Sequence, residues 1–472
     1  MEQEKMPIID ALIKHQQKRP VSFHVPGHKF GTVIGEIPDD FRTILSYDAT
    51  EITGLDDFHS PEGAILEAQT LLTKLYGSKK SYFLVNGSTA GNLAMIASSF
   101  QKEDIVLVQR NCHKSIIHGL MLANIRPVFL EPEYDEKTKS PAGVSLDTLK
   151  LALERFPNAK GLILIYPSYY GVSYPIKELI DYAHQKDCIV LVDEAHGPHL
   201  VLGDPFPPSA LSMGADMVVQ SAHKMLPAMT MGSFFHVGTE RPSLEKVEFY
   251  LSLFQSSSPS YPIMASLDAA RQYLALIKEE DVAFTLEERE RFVEWLQKEK
   301  DLQVAVSEFP YDPLKLIVRS PNSDGFQLKK DIETAGVFPE LADPYQVLFT
   351  LPLLKEGNRI FYQQAKEAIA RVTITERNVR PVELPALSHS KVSSVPVSFE
   401  NWKEKDKRWV KLSEAEGSIS AAMIIPYPPG IPLLMMGERV TKEKIDFIEE
   451  LVARGAHIQG DHQLNEGFIA VY

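Results

Sequence analysis

The sequence predicts an α/β layered protein built on a mostly parallel sheet, and three observations lead there. Seven short apolar runs (SYFLV, DIVLV, RPVFL, GLILIY, CIVLVD, DMVVQ and GSFFHV) are apolar on both alternating faces, as in strands covered on both sides. Helical segments such as Leu146–Arg155 and 176–186 separate most of these runs, the strand–helix–strand order of an α/β domain. The chain of 472 residues, 44% of them apolar, is long enough for more than one core.

In chain order, residues 7–18 read as a short helix opened by Pro7. Residues 19–62 read as irregular, rich in Gly, Pro, His and acidic side chains, and a loop of that length is usually functional or wraps a partner. A helix at Ala64–Tyr76 leads into the first apolar run. After the last run a long helical region is expected over 264–298. A second α/β portion follows, with PLKLIVRS and YQVLFTLPLL as strands and helices near 327–335 and 363–373. Residues 379–397 contain three prolines and little periodicity, and read as a linker. The end of the chain predicts strands at 419–425 and 433–436 around the turn PYPPGIP, then a helix at Lys442–Ala453. The expected division is an N-terminal arm (1–62), a large sheet domain (63–300), a small α/β domain (301–378), the linker (379–397) and a C-terminal domain (398–472).

Composition narrows the function. Lys and Arg number 49 against 63 Asp and Glu, a formal net charge of −14, which argues against nucleic acid or an anionic membrane as partner. No apolar run approaches the roughly 20 residues of a membrane helix. The opening MEQEKMPIIDALIKHQQKRP has no apolar core with a cleavage site, and the two cysteines, Cys112 and Cys188, make no disulfide framework. A cytoplasmic protein is the expectation. The dispersed histidines fit no common zinc spacing, so no metal is expected.

Ligands of open parallel sheets bind beyond the carboxyl ends of the strands. The segments that follow the runs are NGSTAGN (86–92), QRNCHKS (109–115), PSYYG (167–171), DEAHG (193–197) and SAHK (221–224), all polar, reactive or glycine-bearing. In NGSTAGN, Ser88 and Thr89 are candidate phosphate ligands at a helix start, although Ser and Thr also serve there as simple caps. Asp193 ends an apolar strand, where a carboxylate needs a partner; a protonated pyridine nitrogen would supply one, and an ordinary ion pair or cap would too. Lys224 follows a buried strand, where partial desolvation makes an amine nucleophilic and suited to a Schiff base with an aldehyde cofactor; a solvated loop lysine is the plain alternative. Lys224 lies 31 positions after Asp193, one strand–helix–strand step, so the two should end neighbouring or near-neighbouring strands. His113 could lie flat on a cofactor ring, and His196 and His223 could reach its substituents; each could equally be a cap or core histidine.

Together with HVPGHK (24–29), GLDDFHSPEG (54–63), SSSPSYP (256–262) and PYPPGIPLL (426–434), these segments resemble the Orn/Lys/Arg decarboxylase family, nearest its short bacterial members. The resemblance implies the fold type I, PLP-dependent transferase-like architecture with pyridoxal 5'-phosphate as cofactor. It implies a lyase that decarboxylates a basic amino acid in polyamine metabolism. By position it assigns the Schiff base to Lys224, the pyridine nitrogen to Asp193, ring stacking to His113, and the phosphate region to Ser88, Thr89, Ser221 and His223. His196 is expected beside the cofactor, and His223 or Lys224 is expected to return a proton to the substrate. Ser257 and Ser258 would reach the cofactor of a neighbouring subunit, so a homodimer with shared active sites is implied. Acidic residues Glu51, Asp56 and Asp57 are candidates for binding the cationic end of the substrate. The chain departs from the large inducible members: it has no room for their N-terminal wing domain, and His196 stands where they have Trp. Transamination on the same fold, or a non-catalytic regulatory homologue, is the alternative reading.

Overall fold

The computed structural model describes residues 2–376, 390–395, 399, 406–426, 430–460 and 462–472. The chain forms two compact units, one of residues 1–99 and 189–278, the other of 100–188 and 279–472.

The first unit holds four strands in the order Lys80–Leu84, Ser233–Val237, Met217–Gln220, Ile189–Asp193. Ile189–Asp193 and Met217–Gln220 run parallel, with Asp193 opposite Val219. Ser233–Val237 is antiparallel to both of its neighbours, so the GSFFHV run is the one reversed strand of this set. Helix Gly87–Ser99 packs on these strands. Its approach is close because Gly91 has no side chain: a Cβ there would stand 2.6 Å from Leu84 Cδ1 and 2.9 Å from Val219 Cγ1. Gly77, at φ +63°, ends the helix Ala64–Tyr76 in the left-handed conformation that glycine adopts without strain.

The second unit centres on Ile105–Gln109, flanked in parallel by Gly161–Ile165 and Arg126–Leu130. Val392–Ser394, inside the expected linker, adds antiparallel to Arg126–Leu130; residues 379–389 and 396–397 of that linker lie outside the described residues. Ser145 opens helix Leu146–Arg155 by accepting from the Thr148 N–H, and Thr441 does the same for Lys442–Ala453 through Lys444. A smaller antiparallel sheet runs Gln303–Ala305, Lys315–Arg319, Val347–Thr350, Leu341–Ala342. The C-terminal segment has its own apolar core, including Ile424, Leu434, Ile445, Ile448 and Ile469. Each unit therefore carries a largely parallel strand set, and the C-terminal part is small and separately cored.

Several expectations need correction. Residues 19–62 contain a helix, Asp39–Ser46, with two acidic residues in its first turn and no buried residue. The helical region expected over 264–298 is two helices, Tyr261–Ala275 and Glu279–Lys300. The second starts afresh at Glu279, Glu280 and Asp281, whose charges favour a helix N-terminus. Residues 419–425 and 433–436 make no long strands. They fold back on each other through isolated pairings, Ile419 with Arg439 and Ile424 with Leu434, and only Ile425–Pro426 joins a ladder. Residues 427–429 of PYPPGIP lie outside the described residues. Arg408–Lys411 and Phe468–Val471 pair antiparallel, an unexpected sheet because RWVK is polar and mostly exposed. No described helix is long and apolar enough to cross a membrane.

Candidate active site

The first unit brings Asp193, His196, Ser88, Ser221 and Lys224 into a linked set. Asp193 ends its strand and is 4% exposed. Lys224 sits in the one-turn helix Ala222–Met225 that follows the parallel neighbour, so the two residues lie just past or at the ends of adjacent strands; the connection between those strands holds the 3-10 turn Leu200–Leu202 in place of the expected helix. Burial raises the pKa of the Asp193 carboxyl. The positive Lys224, the Asn92 amide and the Ala195 N–H work in the opposite direction. Asn92 Nδ2 donates to Asp193 Oδ2 at 2.9 Å and the Ala195 N–H to Oδ1 at 3.2 Å.

Lys224 Nζ lies 3.1 Å from His196 Nε2. An ammonium can only donate, so Nε2 is the acceptor and the ring proton belongs on Nδ1. His223 Nδ1 lies 2.9 Å from the Gly232 carbonyl, which fixes the proton on Nδ1 and leaves Nε2 as the basic nitrogen. Ser221 Oγ donates to Ser88 Oγ at 2.8 Å, joining the loop before Lys224 to the start of helix Gly87–Ser99. Ser88 is half-buried and Thr89 exposed at that helix start, whose N–H groups and dipole favour an anion.

His113, in the second unit, is the N-cap of helix Lys114–Leu122. Its Nδ1 accepts from the Ser115 N–H at 3.2 Å and lies 2.8 Å from Ser115 Oγ. The ring orientation is thereby tied to the first turn of the helix.

Ser257 and Ser258 are exposed, and no hydrogen bond among the described residues joins them to Lys224 or Asp193; Ser258 Oγ donates instead to Glu51 Oε1 at 3.2 Å. Of the acidic trio, Asp56 accepts from the backbone N–H of Glu62, Gly63 and Ile65 and so closes the start of helix Ala64–Tyr76. Asp57 accepts from the N–H of His59 and Ser60. Both carboxylates thus hold backbone N–H groups of their own loop, Asp57 through Oδ1 alone and with its side chain exposed. In the PSYYG segment, Tyr169 and Tyr170 donate to Glu340 and Asp343, so this loop anchors the small antiparallel sheet.

Two residues escaped the sequence reading. Asn92 is four positions after Ser88 on one helix, so the two share a face, a signal present in the sequence. Glu194 gave no signal beyond standing next to Asp193. It is fully buried, accepting from Ser209 Oγ at 2.9 Å, the Ala210 N–H at 2.7 Å and Gln220 Nε2 at 2.6 Å. Burial pushes its pKa up to about 7. Behind it, Gln220 Oε1 accepts from His236 Nε2 at 3.1 Å, and Ser81 Oγ lies 2.7 Å from His236 Nδ1. Every donor in this chain points toward Glu194.

An amine poised beside a histidine, a buried carboxylate on the adjacent strand and a helix start with a serine hydroxyl form the donor set that pyridoxal phosphate requires for its aldehyde, ring nitrogen and phosphate. Comparison with known proteins agrees. Residues 6–308 match the family described as Orn/Lys/Arg decarboxylase, major domain, and residues 388–467 match its C-terminal domain. The chain is 45% identical to the uncharacterized protein YaaO of Bacillus subtilis, over 99% of this chain and 98% of that one. It is 33% identical to an arginine decarboxylase of the same organism, over 98% and 96%. Its fold resembles the constitutive lysine decarboxylase of Escherichia coli with a TM-score of 0.76 at 21% identity, covering 99% of this chain and 82% of that one. The chain belongs to the Orn/Lys/Arg decarboxylase family and is a fold type I, pyridoxal-phosphate-dependent amino-acid decarboxylase.

Proposed function

We propose that the protein removes the α-carboxylate of a basic amino acid, lysine or arginine ahead of ornithine, giving the amine and CO₂ for polyamine metabolism in the cytoplasm. The observation that carries this reading is the Lys224–His196 pair set beside the buried Asp193 carboxylate in a chain of this family. The arginine and lysine decarboxylases among its relatives support a basic substrate.

Lys224 Nζ is assigned the covalent hold on the cofactor, and His196 Nε2 accepts the proton the ammonium must lose to become nucleophilic. Asp193, held by Asn92 and the Ala195 N–H, would pair with the ring nitrogen. Pyridoxal phosphate, when bound, supplies the electron sink for the pair left as the Cα–carboxylate bond breaks. Ser88, Thr89, Ser221 and His223 would bind around the phosphate, and His113 would stack on the ring. Lys224 Nζ or His223 Nε2 returns a proton to Cα.

Ser257 and Ser258 serve the site of a second copy in a homodimer. Exposed apolar side chains of the first unit support such a partner: Val21 is 86% and Phe23 97% exposed on the arm, and Phe249 and Leu253 are 60% and 59% exposed on helix Leu244–Phe254. The five-part division at residues 62, 300, 378 and 397 is retained as a proposal, supported by family matches that end at 308 and resume at 388. Incubation with lysine, arginine and ornithine separately tests the reading. The expected result is one amine with CO₂; a keto acid without CO₂ would overturn it.

A further inference from the structure

The parallel strands Ile189–Asp193 and Met217–Gln220 each run on into a short turn. Residues 194–197 carry His196, and residues 221–224 carry Lys224. The 3.1 Å contact between Lys224 Nζ and His196 Nε2 spans these two turns, so it depends on how the turns are held together. Backbone bonds make part of that hold. The Glu194 N–H donates to the Val219 carbonyl at 2.8 Å, and the Ser221 N–H to the Ala195 carbonyl at 3.1 Å. The Gly197 N–H closes the first turn on the Glu194 carbonyl at 2.9 Å. Side chains make the rest. Gln220 Nε2 donates to Glu194 Oε2 at 2.6 Å and lies 3.5 Å from the Gly197 carbonyl, so one amide meets both ends of the turn that carries His196.

The orientation of that amide is fixed. A carboxylate only accepts, so the Gln220 amide turns its NH₂ to Glu194 and its oxygen to His236. His236 is neutral because burial lowers its pKa to about 3, and it meets the oxygen with its Nε2 proton at 3.1 Å while Nδ1 accepts from Ser81 Oγ at 2.7 Å. The turn also lies directly on the Glu194 stem: a Cβ at Gly197 would stand 2.5 Å from Glu194 Cγ and 2.9 Å from Leu200 Cδ1. Glu194 and Gln220 are both fully buried. A carboxylate in that place costs desolvation that an apolar side chain of the same size avoids. What it adds is a directed link between the two turns, from the residue two before His196 to the residue four before Lys224.

We infer that Glu194 and Gln220 are positioning residues that hold the His196 turn against the Lys224 turn and so set the contact between the imidazole and the lysine amine. Neither touches the amine itself. The inference rests on the proposed role of His196 in taking the Lys224 proton.

The test mixes full-length apo protein with pyridoxal phosphate and follows the rate of cofactor capture by visible absorption. Capture is measured from about pH 6.5 to about pH 10.4, the ordinary pKa values of histidine and lysine. The proteins are wild type, Glu194→Gln, Gln220→Met, His196→Ala and the doubles of His196→Ala with each of the other two. Asp193, whose charge also acts on Lys224, is unchanged in all of them. Each single change at 194 or 220 is expected to slow capture near neutral pH by about 10-fold. Each should also displace the profile to higher pH, because the ammonium must then lose its proton to water. In the His196→Ala background neither change should have a further effect, as residues that act through one another behave. Equal fold losses in both backgrounds, or a loss uniform across the pH range, would overturn the inference, because the link would then serve the fold alone. If Glu194→Gln does not fold, Gln220→Met carries the decision, since it leaves Glu194 its Ser209 and Ala210 donors. If His196→Ala captures cofactor at the wild-type rate, the inference falls with the proton role of His196. If Lys224→Ala captures cofactor as wild type does, the proposed function itself falls; normal capture by wild type with additive losses removes only the positioning claim.

Discussion

Lys224 Nζ stands 3.1 Å from His196 Nε2, which places His196 to take the proton of the lysine proposed to hold the cofactor. An amine attacks an aldehyde only after losing that proton, and among the described residues His196, 5% exposed, is in hydrogen-bonding contact with Nζ. His196→Ala is therefore predicted to slow cofactor capture by about 100-fold, the low end for a lost general base. Stopped-flow absorption after mixing apo protein with pyridoxal phosphate measures this, and an unchanged rate would remove His196 from the proton path.

Asp193 and its support should separate in magnitude. Asp193→Asn keeps the shape but loses the charge proposed to face the ring nitrogen, and kcat is expected to fall by about 100- to 1000-fold with the visible cofactor absorption retained. Because burial raises the Asp193 pKa, removing its charge should leave Tm unchanged or higher. Asn92→Ala removes one charge-assisted hydrogen bond, about 1.5 to 3 kcal/mol, and should cost roughly tenfold in kcat. Steady-state kinetics with differential scanning calorimetry reads both.

The buried chain behind Asp193 predicts two opposed pH slopes. Glu194 is raised from 4.5 to about 7 by burial, so its stabilising contribution is complete below pH 4.5 and is lost as pH rises to 7. His236 is lowered from 6.5 to about 3 by burial, so its contribution is present above pH 6.5 and is lost as pH falls toward 3. Each shift corresponds to on the order of 3 to 5 kcal/mol, and between pH 4.5 and 6.5 the two pH slopes are opposite and offset each other. Relative to wild type, Glu194→Gln should lose stability as pH falls from 6.5, and His236→Gln as pH rises from 4.5 to 7. Urea denaturation across that range checks the signs.

Gly91→Ala tests the close approach of the helix that carries Ser88 and Asn92. The new Cβ would meet Leu84 and Val219 below 3 Å, both inside a packed core. A loss of about 1 to 3 kcal/mol is expected, together with weaker cofactor binding, because the helix must lift away from the strands. A variant of unchanged stability would mean the contact relaxes elsewhere.

Much of this was legible in the sequence for identifiable reasons. The helices Ala64–Tyr76, Leu146–Arg155 and Lys442–Ala453 appear where the sequence places them because Gly77, Ser145 and Thr441 end or open them through local geometry. Asp193 and Lys224 were found together because Asp193 ends one strand and Lys224 follows its parallel neighbour, although the connection between the strands holds only the 3-10 turn Leu200–Leu202 where the sequence suggested a helix. Other features depend on residues distant in sequence. The partners of Glu194 lie up to 26 positions away, and Arg110 meets Glu438 across 328. The short pairings of residues 419–439 leave no alternating pattern long enough to read. That Asp56 and Asp57 hold backbone N–H groups of their own loop is likewise not visible in an acidic stretch of sequence.

The most direct test of the central claim is release of CO₂ from carboxyl-labelled lysine or arginine by wild-type protein and by Lys224→Ala, each supplied with pyridoxal phosphate. Wild type should release labelled CO₂ in equal amount to amine, and the variant, lacking the covalent hold, should fall by at least about 1000-fold while keeping its Tm. Equal release by the variant, or a keto acid with the label retained, would contradict the account.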